Sequence, residues 1–127
     1  MTGKNRIVTN MAPDAIGPYS QAIEVDGMLY CSGQIPLDPE TMEITGTTVE
    51  EQTHRVMKNV EGVLKAANCD FGNVIKAMIF LDDMNDFAKV NEVYASYLKE
   101  PYPARSAVEV AKLPKGAMVE VEVIAKK

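Results

Sequence analysis

The stretch TTVEEQTHRVMKNVEGVLKAANCDFGNVIKAMIFL, residues 47–81, decides the fold because a helix period gives way to a strand within it. Thr48, followed three residues later by Glu51, predicts a capping box at the helix start. Side chains at helical spacing then form one stripe, made of Val49, Thr53, Val56, Met57, Val60, Val63, Leu64 and Ala67. Asn68 predicts the helix end because asparagine tolerates the left-handed conformation common there. NVIKAMIFL (73–81) has the apolar density of a central strand.

Before this helix, the sequence predicts a short strand and a β-hairpin. RIV (6–8) is a short apolar start. QAIEV (21–25) and MLYCSG (28–33) flank Asp26-Gly27, a strong hairpin signal because both central positions of such a turn need positive φ. QIPLDPETMEITG (34–46) is rich in turn formers and predicts an extended excursion.

After the central strand, the sequence predicts a second helix and two closing strands. The helix caps are offered by Asp82, Asp83 and Asn85, and its buried side holds Phe87, Val90, Val93, Tyr94, Tyr97 and Leu98. Two strands at about 104–111 and 117–125, joined by KLPKG, predict a final hairpin. The whole chain, 1–127, is thus expected to be one α+β domain with two helices over one face of a mixed sheet. The other face also needs cover, and self-association is its simplest source.

Composition excludes several classes of protein. The chain has 127 residues and a net charge of −5 with scattered basic residues, so nucleic acid is not the expected partner. No apolar run reaches the length of a membrane span, and MTGKNRIVTN (1–10) lacks the apolar core of a signal peptide. Cys31 and Cys69 form no CxxC pair, which argues against a metal site and predicts reduced thiols in a cytoplasmic protein.

One arginine stands among small apolar residues in PARSAVEV (103–110), which alternates like a strand. Alternation along the strand places Arg105, Ala107, Glu109 and Ala111 on one side. Val108 on the opposite side is expected to face the core under the helices, which would leave Arg105 and Glu120 together on the outer face. A guanidinium presents paired donors that match a carboxylate. Arg105 therefore either binds an anionic ligand or forms an ordinary surface ion pair with a glutamate, the commoner case by composition alone.

Five blocks of the sequence together resemble the RidA/YjgF family, also called L-PSP, of reactive-intermediate deaminases. They are APDAIGPYSQA (12–22), SGQIPLDPET (32–41), FLDDMNDFAKVNEVY (80–94), PARSAVEVAKLP (103–114) and VEVEVIA (119–125). The resemblance implies a chorismate-mutase-like α+β subunit in a homotrimer, with a site in each intersubunit cleft. It also implies hydrolysis of 2-aminoacrylate, through its imine tautomer, to pyruvate and ammonia. The imine of 2-oxobutanoate is expected to react similarly, and no cofactor is implied.

The resemblance also assigns roles to individual residues. Arg105 of PARS clamps the carboxylate of a 2-imino or 2-enamino acid, and Glu120 of VEVE positions water or moves a proton near the substrate nitrogen. The other cleft residues are Tyr19 of IGPYS, Ser32 and Gly33 of SGQ, and Asn91 of VNEVY. Four of these residues have a structural alternative. Tyr19 could simply be packed, and Gly33 could serve only a turn. Asn91 could be a satisfied buried amide, and Glu120 could be a solvated carboxylate on a strand.

The sequence departs from the family pattern at Ala107, where many members have cysteine. We expect this position to serve a ligand through its backbone N–H, because imine hydrolysis needs water rather than a protein nucleophile. Met42 and Asn68 stand where the family often has glycine and bear on local geometry. His54, the only histidine, is predicted to be solvated, and Cys31 is predicted to pack in the core.

Two other functions stay open at this point. The first is an endoribonuclease or translation inhibitor, a name often attached to the family, against which the acidic charge and the lone histidine weigh. The second is a non-catalytic trimer that binds 2-oxo acids or acts like a chaperone. A carboxylate binder needs the same arginine as a deaminase, so the sequence does not separate these two.

Overall fold

The computed structural model describes residues 3–127, in which six strands and two helices form one α+β domain. The elements are β1 Asn5–Ile7, β2 Ala22–Val25, β3 Met28–Cys31, α1 Val49–Ala66, β4 Val74–Leu81, α2 Phe87–Ala95, β5 Ala104–Glu109 and β6 Val119–Lys126. All the strands join one mixed sheet in the order β1-β2-β3-β6-β4-β5, in which only β4 and β5 pair in parallel. The predicted fold class is therefore confirmed.

The start and the end of α1 follow the sequence signals. The Glu51 N–H donates to Thr48 Oγ1 at 3.2 Å, and the Thr48 N–H donates to Glu51 Oε1 at 3.1 Å, which completes the capping box. Asn68 follows the helix with φ +59°, in the left-handed region expected there. Every residue of the predicted stripe is buried. Helix α1 thus buries the face that its periodicity indicates.

The hairpin and the central strand were also predicted correctly. Asp26 and Gly27 have φ of +51° and +78°, and they connect β2 to β3 where Val25 pairs with Met28. Strand β4 lies between β6 and β5, and its side chains Ala77, Ile79 and Leu81 are fully buried. The central position predicted from its apolar density is confirmed.

The two helices cover one face of this sheet. The core joins α1 and α2 side chains to alternate residues of β4 and β6, including Ile79 and Val121. The opposite face, called the outer face below, carries half-buried or exposed apolar side chains: Tyr30, Met78, Phe80, Val108 and Ile124. No helix within residues 3–127 is long and apolar enough to cross a bilayer.

The predicted final hairpin is wrong. Strands β5 and β6 do not pair with each other but flank β4, which β5 joins in parallel and β6 in antiparallel. The connection at 110–118 crosses the end of β4 instead of turning back beside β5. A short polar loop is compatible with either path, and β4 has backbone donors and acceptors on both edges that each need a partner strand.

The face assigned to Arg105 is also wrong. Arg105 and Ala107 pair with Ala77 and Ile79 of β4, whose side chains lie on the helix-covered face. Val108 is 40% exposed on the outer face. Alternation correctly grouped the residues that share a side, but it does not say which side the helices cover. Since β5 is the edge strand, an apolar residue such as Val108 can remain outside this chain's own core.

Glu120 consequently does not share a face with Arg105. It pairs with Phe80 on β4, and both lie on the outer face. Glu109 lies on the same side of β5 as Arg105, and it accepts a hydrogen bond from the Met84 N–H, just before α2, at 2.8 Å. This contact agrees with a position on the helix-covered face. Within one chain, Arg105 and Glu120 thus lie on opposite faces of the sheet.

Candidate functional site

A first cavity, called the arginine cavity below, opens between α2 and the start of β5. Its volume is about 470 Å³, and it is lined by Asn91, Tyr94, Ala95, Tyr102, Pro103 and Arg105. The lining combines one cation, one amide and two aromatic rings. This composition suits a small planar anion better than an extended apolar ligand.

Helix α2 holds the Arg105 guanidinium in a defined orientation. Arg105 Nη1 donates a hydrogen bond to Asn91 Oδ1. The guanidinium carbon lies 5.2 Å from the centre of the Phe87 ring and 5.3 Å from that of Tyr94, within cation–π range. The spacing of Phe87, Asn91 and Tyr94 places all three on one face of the helix. Phe87 and Tyr94, which were predicted only as core residues, thus also support the Arg105 guanidinium.

The positive charge of Arg105 is not neutralised within the described part of the chain. The ion pairs there join Lys65 to Glu61 and Lys127 to Glu24, and no carboxylate lies within ion-pair distance of Arg105. Arg105 therefore forms no ion pair with a glutamate within these residues. An exposed guanidinium that is fixed by an amide and two rings remains able to bind a carboxylate.

A second cavity, called the glutamate cavity below, lies around the segment that follows β3. Its volume is about 540 Å³. Its polar lining is Asp14, Tyr19, Gln21, Ser32, Gly33, Gln34, Lys115 and Glu120, and its other lining residues are Pro13, Ile16, Ile35, Leu37, Met42 and Pro114. Four of the predicted site residues, Tyr19, Ser32, Gly33 and Glu120, thus meet in one cavity.

Backbone hydrogen bonds hold residues 32–34 against β6. The Gln34 N–H donates to the Val121 carbonyl at 2.8 Å, and the Val121 N–H donates back at 3.1 Å. Ser32 Oγ donates to the Ser20 carbonyl at 2.6 Å, which ties the segment to the loop that carries Tyr19. These contacts bring Gly33 directly beside Glu120.

Gly33 is required by this close approach rather than by a turn. Its φ is not in the left-handed region, but a Cβ built on it would overlap the Glu120 carboxyl group. The absence of a side chain thus allows the Glu120 carboxyl to lie against the backbone. The turn-glycine alternative is not supported by this geometry.

Partial burial changes the acidity of Glu120. Desolvation chiefly, and the nearby charge of Glu122 secondarily, raise the pKa of the Glu120 carboxyl above its ordinary value of 4.5. A carboxyl with a raised pKa is better placed to take up and return a proton near neutral pH. The solvated-carboxylate alternative is therefore not what the structure shows.

Comparison with known proteins identifies the family of this chain. Residues 9–127 match the sequence model of a family described as Endoribonuclease L-PSP. The chain belongs to this family, the RidA/YjgF family. It is 50% identical over 119 residues to the human 2-iminobutanoate/2-iminopropanoate deaminase, covering 94% of this chain and 87% of that protein.

Two further proteins show that the similarity extends over the whole domain. A RutC family protein of Pyrococcus horikoshii is 51% identical over 124 residues, covering 98% of each chain. The crystal structure of a Rid family protein from Yersinia pestis has a TM-score of 0.96 at 48% identity, covering 98% of this chain and 100% of that one. The RidA/YjgF fold is therefore shared along almost the full length.

Ala107, which departs from the common RidA/YjgF pattern, lines neither cavity. Its side chain is half-buried and packs against the core. The Val110 N–H donates to the Leu81 carbonyl at 2.9 Å, and alternation along β5 then directs the backbone groups of Ala107 to the free edge of the sheet. The expectation that this position offers a backbone N–H stays a prediction.

Two residues that looked reactive in the sequence lie outside both cavities. His54 is exposed and its Nδ1 lies 2.8 Å from the Tyr97 hydroxyl, so it has a protein partner in addition to solvent. Cys31 is buried as predicted, and desolvation raises the pKa of its thiol to about 12. A thiol with this pKa is not a nucleophile at neutral pH.

Proposed function

We propose that this member of the RidA/YjgF family is a 2-iminobutanoate/2-iminopropanoate deaminase. The observation that carries the proposal is the Arg105 guanidinium, which is held by Asn91, Phe87 and Tyr94 over a cavity and has no carboxylate partner among residues 3–127. Its planar donors match the carboxylate of a small 2-imino acid. The activity named for the human relative is consistent with that ligand.

The two cavities lead us to propose that the site is shared between copies of the chain. Arg105 and Glu120 lie on opposite faces of one sheet, so a single chain does not bring both to the same three- or four-carbon substrate. In a homotrimer with a cleft at each interface, the arginine cavity of one copy would face the glutamate cavity of the next. The uncovered apolar side chains of the outer face support such self-association.

The proposed reaction is a hydrolysis that balances without a cofactor. 2-Aminoacrylate first moves a proton to its methylene carbon and becomes 2-iminopropanoate. Water then adds to the C=N carbon, and the resulting carbinolamine releases its nitrogen as ammonia and leaves pyruvate. The same steps convert 2-iminobutanoate to 2-oxobutanoate.

Four of the predicted site residues have a direct role in this scheme. Arg105 binds the carboxylate and fixes the orientation of the C=N bond, which makes the attack of water effectively intramolecular. Glu120, with its raised pKa, takes a proton from the attacking water and returns it to the leaving nitrogen. Tyr19 and Ser32 line the same cavity and supply hydroxyl groups for the substrate nitrogen or the water.

The test is a coupled assay in which a lyase generates 2-aminoacrylate and pyruvate release is followed. We expect wild-type protein to accelerate release and Arg105→Ala to lose at least about 100-fold in kcat/KM, since two charge-assisted hydrogen bonds are removed. Arg105→Lys keeps the charge without the paired donors and should recover only part of the rate. Arg6→Ala, on β1 and outside both cavities, is the matched control.

Two outcomes would contradict the proposal. If wild-type protein and Arg105→Ala release pyruvate equally fast while wild-type protein still binds 2-oxobutanoate, the protein is a binder rather than a deaminase. If purified protein instead cleaves RNA across a range of salt concentrations and Arg105→Ala abolishes that cleavage, the endoribonuclease function takes its place.

A further inference from the structure

The hydroxyl of Tyr94 lacks a hydrogen-bond partner. Among the side-chain nitrogen and oxygen atoms buried in the described part of the chain, Tyr94 Oη is the one without a partner. The residue is only 5% exposed. A buried hydroxyl without a partner destabilises the folded state, and the great majority of buried polar atoms avoid this condition. Its presence therefore calls for a functional reason.

The surroundings of Tyr94 connect this hydroxyl to Arg105. Tyr94 lines the arginine cavity, and its ring centre lies 5.3 Å from the Arg105 guanidinium carbon. Desolvation raises the pKa of Tyr94 and the Arg105 charge partly opposes this, so the hydroxyl is neutral at neutral pH. A neutral phenol oxygen can accept a hydrogen bond from a guanidinium N–H.

We propose that Tyr94 is a positioning residue for Arg105, whose hydroxyl accepts an Arg105 N–H when a carboxylate binds. This inference rests on the proposed function, because it assumes that Arg105 takes the carboxylate of the substrate. In the chain without ligand, Arg105 Nη1 donates to Asn91. The guanidinium has five N–H donors, of which a bound carboxylate takes two parallel ones while Asn91 takes one. Two N–H donors remain, and with the guanidinium carbon 5.3 Å from the Tyr94 ring centre, one of them is the donor that we assign to Tyr94 Oη.

In this proposal, the buried Tyr94 hydroxyl gains its hydrogen-bond partner only when a ligand binds. Without ligand, the hydroxyl costs stability; with ligand, it fixes the bound orientation of Arg105. Removing the hydroxyl should therefore change stability and affinity in opposite directions. A purely structural tyrosine would not show this combination.

The experiment compares Tyr94→Phe with wild-type protein, using 2-oxobutanoate as the probe in calorimetric titrations and thermal unfolding. We expect Tyr94→Phe to bind 2-oxobutanoate about 10- to 100-fold more weakly, the effect of one hydrogen bond to a charged group. We expect its Tm without ligand to rise by about 3–6 °C, because an unsatisfied hydroxyl is removed. In the coupled assay, KM should rise by the same factor as the dissociation constant while kcat changes little.

Tyr97→Phe is the matched control. Its hydroxyl contacts His54 Nδ1 and lies outside the arginine cavity, so its removal should leave the affinity unchanged and should not raise Tm. The proposal is overturned if Tyr94→Phe binds 2-oxobutanoate as tightly as wild-type protein, or if its Tm falls. If wild-type protein neither binds 2-oxobutanoate nor accelerates pyruvate release, the proposed function fails as well, which distinguishes the two failures.

Discussion

Gly33 shows how a missing side chain can position a functional one. Hydrogen bonds between Gln34 and Val121 hold the backbone of the segment against β6, so Gly33 cannot withdraw from Glu120. A Cβ at this position would overlap the carboxyl group, which sits at the mobile end of its own side chain. The side chain, rather than the backbone, would then have to move. A side chain at position 33 would therefore displace the Glu120 carboxyl and would change the fold much less.

Gly33→Ala should therefore reduce turnover without unfolding the protein. We expect kcat to fall about 10- to 100-fold because the carboxyl is displaced from the water it activates. The free energy of unfolding should change by less than about 1 kcal/mol, since a flexible end can yield. Steady-state kinetics and urea unfolding measure the two effects. In the double variant Gly33→Ala, Glu120→Asp the shorter side chain should relieve the overlap, and a purely additive loss would contradict this account.

The raised pKa of Glu120 predicts a pH dependence with a definite sign. Burial holds the pKa of this carboxyl above its ordinary value of 4.5, and Glu122 adds to the effect. If Glu120 works as the base, activity should rise with pH through a limb that lies above 4.5. Glu122→Gln should move this limb to lower pH, whereas Glu92→Gln should leave it in place. A limb that does not respond to Glu122→Gln would exclude this coupling.

The same shift predicts how stability depends on pH. The folded state favours protonated Glu120, so this stabilising contribution is complete below the unfolded pKa and is lost as pH rises through the folded pKa. Glu120→Gln should consequently have a higher Tm than wild-type protein at neutral pH. The difference should vanish at a pH below 4.5, where both side chains are neutral. Thermal unfolding at the two pH values checks the sign, and a lower Tm at neutral pH would contradict it.

At the scale of elements, most local signals were reliable and long-range pairing was not. The caps predicted for α2 were wrong, because Asp83 caps a 3₁₀ turn at Met84–Asp86 and the helix then begins after Asp86, which makes no side-chain cap hydrogen bond. The cap at Thr48, the stop at Asn68 and the turn at Asp26-Gly27 each depend on a few neighbouring residues, and all were predicted correctly. The partner of β5 depends on which edge of β4 the chain reaches, and no local residue specifies that. The hairpin prediction for β5 and β6 failed for this reason.

Some residues of the candidate site were predicted from the sequence and others were missed. The family resemblance identified Arg105 and Asn91 of the arginine cavity and four residues of the glutamate cavity, and it also named Ala107, which lines neither. The aromatic support of Arg105 was missed, because Phe87 and Tyr94 have the spacing of ordinary core residues. Only the three-dimensional position of β5 beside α2 shows their second role.

Helix α1 also holds the excursion at 34–46 that lines the glutamate cavity. Asn59 is fully buried, and its Nδ2 donates to the Ile35 and Leu37 carbonyls at 3.2 and 2.9 Å. Arg55 donates to Asn59 Oδ1 through Nε and Nη2, which fixes the amide orientation. One amide thus joins the helix to the wall of the cavity.

Asn59→Ala should destabilise the protein and loosen that wall. Two carbonyl groups lose their donor and a small cavity remains, so we expect a loss of about 2–4 kcal/mol in the free energy of unfolding. Lys65→Ala on the same helix removes only an exposed ion pair of 3.8 Å with Glu61 and should cost less than about 0.5 kcal/mol. Urea unfolding measures both variants. Equal midpoints for the two would show that Asn59 does not hold the excursion.

At the scale of the whole molecule, the separation of Arg105 and Glu120 on opposite faces makes a prediction about mixed assemblies. Arg105→Ala and Glu120→Gln should each be nearly inactive alone. If a cleft combines the arginine cavity of one copy with the glutamate cavity of another, an assembly of both variants contains some clefts in which both halves are intact. When equal amounts are unfolded together and refolded, about a quarter of the clefts should carry both intact halves, whatever the number of copies in the ring.

The coupled assay on the refolded mixture should therefore recover about a quarter of the wild-type rate per chain. The two variants mixed without unfolding give the background, and a time course of that mixture measures any exchange of subunits. The double variant Arg105→Ala, Glu120→Gln refolded with wild-type protein controls for refolding yield. If the site lay within one chain, each chain in the mixture would still lack one of its two groups, and no recovery would appear. Recovery of activity from two inactive variants is thus the result that requires a site built from two copies.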